Sequence, residues 1–178
     1  MTLPADQIDA RIRRLRLLLL DVDGVLTDGT VNVGSGGEES KAFFIRDGAA
    51  IKWLQRDGLP VGLLSGRSSG ATSRRAAELG IRIVWQEGAD KRRGLDEILA
   101  AERCDPIEVA YMGDDVLDLP VLTRVGLSAA PADAVEEVRA RVDFVSRFAG
   151  GRGAVRELIE RILRGRGRWD ALVQGMLD

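Results

Sequence analysis

Four consecutive leucines, Leu17–Leu20, run directly into Asp21-Val22-Asp23-Gly24. An unbroken apolar run of this kind fits a strand covered on both faces, as in a parallel sheet between two layers of helices. It places two aspartates at the carboxyl end of a buried strand, the edge where open α/β sheets bind ligands. Carboxylates this close repel each other unless a cation lies between them or one carries a proton. A lone DxDG also occurs as a strand-ending Asx turn, so the pair has to be weighed with the rest of the chain.

The rest of the chain repeats the strand. Apolar runs at 59–65, 81–85, 107–113, 125–130 and 143–146 alternate with amphipathic stretches at 48–57, 70–79, 91–103, 115–124, 133–141 and 152–164. This alternation predicts βαβ units and an α/β fold, a Rossmann-like doubly wound parallel sheet. A short helix is expected over residues 5–14. Residues 27–47 break the rhythm: Val31 and Val33 alternate with polar neighbours, GSGG turns the chain and KAFFI resumes. That pattern predicts a β-hairpin inserted after the first strand. A two-stranded hairpin is marginal alone, so it should pack on the body or on another subunit. The chain reads as one domain, 1–178, with a tail over 165–178 that begins GRGRW.

Composition excludes several chemistries. There is no histidine, which rules out Ser-His-Asp and Cys-His catalysis and any histidine metal site. Cys104 is the single cysteine, so no internal disulfide forms. A net charge of −2 argues against a general nucleic-acid binder. No run has the length of a membrane span, and the N-terminus lacks a secretory pattern. A cytoplasmic protein without nucleic-acid or membrane partners is expected. Of the 26 Lys and Arg residues only three are lysine, so a lysine at a special place is informative.

Three further constellations lie at predicted strand ends. GDDVLD, 113–118, gathers Asp114, Asp115 and Asp118. An acidic helix start would explain one or two of them, but not their pairing with a second acidic strand end. LLSGR, 63–67, ends a strand in Ser65 and Gly66, whose hydroxyl and amides suit phosphate, although a plain Ser/Gly turn reads the same. Lys91, in EGADKRRG, opens a helix; alone, it would be a solvated charge. Oxygen donors without histidine suit Mg²⁺.

In this order the four constellations resemble the haloacid dehalogenase superfamily. DVDGVLTDG, RDGAAI, LLSGR, GDDVLDLPVL and GGRGAVRE together resemble its capless 3-deoxy-D-manno-octulosonate 8-phosphate phosphatase family. That resemblance implies a phosphoric monoester hydrolase of lipopolysaccharide precursor synthesis, acting on a small sugar-acid phosphate. Asp21 would be the nucleophile and Asp23 the general acid and base. Mg²⁺ would be held by Asp21, the Asp23 backbone carbonyl and Asp114, supported by Asp115 or Asp118. Ser65 and Lys91 would grip phosphoryl oxygens, with amides near Gly24 and Gly66 assisting. Arg67 is the implied partner of the substrate carboxylate, and Arg46 has a weaker claim. The family implies a homotetramer built on the hairpin, with GGRG and the tail reaching a neighbour and Arg152 as a contact supplied in that way. Three other readings are a phosphatase for another nonulosonate or sugar phosphate, a phosphate-receiving signalling domain, and a non-catalytic oligomerisation module like those fused to sialic-acid cytidylyltransferases.

Overall fold

The computed structural model describes residues 4–177. Residues 1–3 and 178, the ends of the expected 1–178 domain and of the 165–178 tail, lie outside the described residues. Helix α1 (Ala5–Ile12) leads into β1 (Leu17–Leu20). A hairpin, β2 (Asn32–Val33) and β3 (Glu39–Ser40), precedes α2 (Ile45–Arg56), β4 (Val61–Leu64), α3 (Gly70–Leu79) and β5 (Ile83–Trp85). The second half runs α4 (Lys91–Glu102), β6 (Val109–Met112), α5 (Leu119–Leu122), β7 (Leu127–Ala130), α6 (Glu136–Arg139), β8 (Phe144–Val145), α7 (Ala154–Gly165) and α8 (Trp169–Gln174).

The main sheet has the order β5-β4-β1-β6-β7-β8, and every pairing in it is parallel. This is the doubly wound order, and its topological switch falls between β1 and β6. The four leucines divide the core between two faces. Leu18 and Leu20 join the apolar layer with α1, α2 and α7, whereas Leu17 and Leu19 join the layer with α4. All four are essentially inaccessible, as the unbroken run predicted. No helix among the described residues is long and apolar enough to cross a membrane.

The hairpin pairs Asn32 with Ser40 and Val33 with Glu39. It is shorter than the 27–47 pattern suggested. Lys41–Phe44 pairs with no strand, and α2 starts at Ile45, ahead of the expected 48. The expected helix over 115–124 is a 3-10 turn, Val116–Asp118, followed by the single turn of α5. Asp115 and Asp118 use their carboxylates to cap that tight turn, and Pro120 opens α5. The expected helix over 133–141 is likewise one turn, because Val135 is extended and its N–H bonds the Asp114 carbonyl. The tail carries α8, whose Trp169 packs edge-on against Trp53 at 6.1 Å.

Candidate active site

The topological switch brings the two acidic strand ends together. The Asp21 N–H donates to the Met112 carbonyl at 3.0 Å, so the β1–β6 ladder continues to the residue that bears the carboxylate. On the neighbouring rail β6 leads into Gly113, Asp114 and Asp115. Asp118 folds back over them, and its Oδ2 accepts the N–H groups of Asp114 at 2.9 Å and Asp115 at 3.1 Å. Its Oδ1 accepts the Tyr111 hydroxyl. Gly113 makes room for this, since a Cβ there would stand 2.5 Å from Asp118 Cγ. Gly24, at φ 87°, turns the chain after β1, and a Cβ there would lie 2.1 Å from Asp114 Oδ2. Only glycine both takes that turn and admits the carboxylate.

Lys91 stands at the first position of α4, behind the N-cap Asp90. Its Nζ lies 2.8 Å from Asp21 Oδ2 and 2.6 Å from Asp118 Oδ1. Carboxylate oxygens of Asp21, Asp114 and Asp118 all lie within 4.8 Å of one another. Three carboxyls therefore crowd together, mostly out of water, around one ammonium that pairs with two of them, Asp21 and Asp118. Burial pushes the Asp21 carboxyl up to about 6; Lys91 opposes the rise and Asp118 adds to it. Burial, then Asp21 and Asp118, push Asp114 up to about 8. Burial pulls the Lys91 ammonium down, but its two carboxylate partners outweigh that and leave it above its ordinary value. The cluster is short of positive charge. Asp114 Oδ1 is buried without a hydrogen-bond partner. Oxygen donors around such an atom fit a hard divalent cation such as Mg²⁺.

A cleft of about 360 Å³ is lined by Asp21 and Asp23 just after β1, by Ser65, Gly66 and Arg67 just after β4, by Lys91 of α4, and by Asp114, Asp115 and Asp118 after β6. Ser65 is buried; its N–H bonds the Trp85 carbonyl at 3.0 Å, and its hydroxyl bonds the backbone of Arg67. A larger groove of about 770 Å³ runs along edge strand β5 and holds none of the expected site residues.

Three expected residues sit differently. Asp115 lines the cleft but turns its carboxylate onto the Val116 N–H at 2.7 Å. Arg46 is exposed on the first turn of α2 and does not line the cleft. Arg152 lies 3.5 Å from Asp28 of its own chain. The GGRG glycines pack against the loop after β1: the Gly151 N–H bonds the Val25 carbonyl at 2.9 Å, and a Cβ on Gly150 would stand 1.8 Å from the Gly24 oxygen.

The structure adds residues that the sequence reading passed over. Lys41 Nζ lies 2.7 Å from Asp23 Oδ1, and its side chain is fully buried. Glu39 holds Arg67 at 2.6 Å and accepts the Ser69 hydroxyl at 2.7 Å. Tyr111, the single tyrosine, lies beneath Asp118. The scarcity that marks Lys91 among three lysines marks Lys41 equally. What no local pattern shows is that the hairpin folds back over Asp23.

A model of haloacid dehalogenase-like hydrolases matches residues 81–158. The 3-deoxy-D-manno-octulosonate 8-phosphate phosphatase of Yersinia pestis is 44% identical over 159 residues, which span 89% of this chain and 85% of that one. The chain belongs to the 3-deoxy-D-manno-octulosonate 8-phosphate phosphatase family. Within this family, the solved phosphatase of Moraxella catarrhalis, in complex with magnesium, phosphate and KDO, superposes with a TM-score of 0.93. It is 34% identical, and the match covers 96% of this chain and 98% of that one. A probable YrbI-family phosphatase of Pseudomonas syringae gives a TM-score of 0.94 at 40% identity, over 97% of this chain and 98% of its own. As a member of this phosphatase family, the chain is a phosphoric monoester hydrolase on an α/β fold without a cap.

Proposed function

We propose that this protein hydrolyses 3-deoxy-D-manno-octulosonate 8-phosphate to the free sugar acid and phosphate, with Mg²⁺, through an aspartyl-phosphate on Asp21. The observation that carries this reading is the convergence of Asp21, Asp114 and Asp118 within 4.8 Å beside a buried Lys91. Mg²⁺ held by Asp21, the Asp23 carbonyl and Asp114, with Asp118 and Asp115 around it, would supply positive charge between the carboxylates and a phosphoryl group.

The chain's own residues then divide the work. Asp21 attacks phosphorus, the P–O bond to the sugar breaks, and the departing alkoxide takes a proton from Asp23. Asp23, now a carboxylate, takes a proton from water; the water oxygen attacks phosphorus, the bond to Asp21 breaks, and phosphate leaves. Lys91 keeps Asp21 in place. Ser65, the Gly66 amide and Lys91 bind phosphoryl oxygens. Arg67 binds the substrate carboxylate, for which a guanidinium has matching geometry. Arg46 and Arg152 are lesser candidates, Arg152 as a contact to a neighbouring protomer's substrate. The enzyme works as a cytoplasmic homotetramer, and the apolar side chains of Val33 and Ile45, 70% and 80% exposed on and beside the hairpin, are surface for neighbours to cover.

Phosphate release from the octulosonate phosphate, with and without Mg²⁺ and beside a panel of neutral and acidic phosphosugars, tests this. Release should require Mg²⁺ and show its highest kcat/KM on the octulosonate. No release from any phosphosugar would remove the catalytic reading. Equal kcat/KM on neutral phosphosugars would remove the substrate.

The raised carboxyls also set a pH dependence. Without a divalent ion, Asp21 and Asp114 keep protons in the folded state that the unfolded chain has already lost above its ordinary carboxyl range. Folded protein then binds more protons than unfolded, so stability falls as pH rises through about 6 and about 8. Melting followed by tryptophan fluorescence should give a lower Tm at pH 8.5 than at pH 6 in chelator, a gap of about a few degrees. Saturating Mg²⁺ should narrow it. A metal-free Tm that rises across this window contradicts the crowded-carboxylate account.

A further inference from the structure

Lys41 is the most unexpected cation in the molecule. It follows the half-buried two-residue strand β3 in a glycine-rich hairpin, and its own side chain is fully buried. A lysine leaves water at this cost only when its ammonium is well paired. Here the partner is Asp23, with Nζ 2.7 Å from Oδ1 and 2.9 Å from Oδ2, and Glu39 stands 3.7 Å away. Asp23 itself sits in the turn after β1, beyond the sheet. Among the described residues, Lys41 is the side chain that bonds its carboxylate. Glu39 in turn holds Arg67 and Ser69, the N-cap of α3, so the second half of the hairpin is fastened to the cleft from two sides.

We propose that Lys41 is a positioning residue for the reaction: from the hairpin, it fixes the Asp23 carboxyl group where it must meet the leaving group and the attacking water. This rests on the assignment of Asp23 as general acid and base. The hairpin is thereby a working part of the site. Misplacing a proton-transfer group by about 1 Å costs on the order of a hundredfold in rate.

The test uses the leaving group. A sugar alkoxide needs protonation to depart, whereas p-nitrophenolate leaves without it. The full-length Lys41→Met and Lys41→Arg proteins are assayed with Mg²⁺ on the octulosonate phosphate and on p-nitrophenyl phosphate, and kcat/KM is compared because it covers the chemistry through transfer to Asp21. The expected result for Lys41→Met is a loss of about 10- to 100-fold on the sugar phosphate and less than about threefold on p-nitrophenyl phosphate. Lys41→Arg, which keeps the ion pair, should recover most of that loss. In an Asp23→Asn background, Lys41→Met should add no further selective loss. If Lys41→Met does not fold, Lys41→Gln, neutral but able to donate to Asp23, is measured in the same way and should show the same selectivity at smaller size. Equal losses on both substrates, or no loss on either, would overturn the role of Lys41. A wild-type enzyme inactive on both esters would instead remove the hydrolase reading.

Discussion

Asp21→Asn should lower phosphate release by at least about a thousandfold and leave the fold unchanged. Asparagine has nearly the same shape, and the bond from the residue 21 N–H to the Met112 carbonyl involves only backbone. The β1–β6 edge should therefore keep its register. What is lost is the oxygen that, in the proposed mechanism, bonds to phosphorus. The substitution also removes one of the three crowded carboxyls, and one of the two that pair with Lys91. The metal-free variant should therefore melt no lower than the parent, an uncommon pairing of full inactivation with undiminished stability. Single-turnover phosphate release and a thermal melt, made on the same sample, check both halves. Mg²⁺-dependent turnover above about 1% of the parent would remove Asp21 as nucleophile.

Lys91→Met should instead lower stability and chemistry together. Methionine fills a similar volume but leaves Asp21 and Asp118, both nearly inaccessible, without their shared cation. Removing one partner of a buried ionic cluster costs about 3–5 kcal/mol. Proton uptake by the carboxyls will reduce that figure at low pH. The metal-free variant should melt about 10 °C below the parent at pH 8, with a smaller deficit at pH 6, and turnover should fall together with stability. A melt equal to the parent at pH 8 would mean that Lys91 is not what holds the carboxylates.

Much of the fold could be read from the chain because its signals are local. Helix α3 lies over the expected 70–79, where Ser69 caps one end and Gly80, at φ 69°, closes the other. Strands β1, β4, β6 and β7 follow the apolar runs because burial on both faces leaves no alternation to misread. The readings that failed have long-range causes. Residues 115–124 carry helical composition, but Asp118 is drawn back onto the N–H groups of Asp114 and Asp115, which tightens the turn. For the site, DxD, SGR, GDD and Lys91 could be placed at strand ends from sequence alone, and the switch between β1 and β6 explains why they meet. Lys41 and Glu39 could not, because their partners lie across a hairpin whose direction depends on packing.

The close fit of Gly150 and Gly151 against Gly24 and Thr27 has a consequence for biosynthesis. The turn that carries Asp23 is made early in translation, but the backbone that buttresses it comes from the last fifth of the chain. A nascent polypeptide still threaded through the ribosome holds its acidic strand end without that support. The turn therefore gains its backing only once Gly150 and Gly151 have emerged and packed behind it.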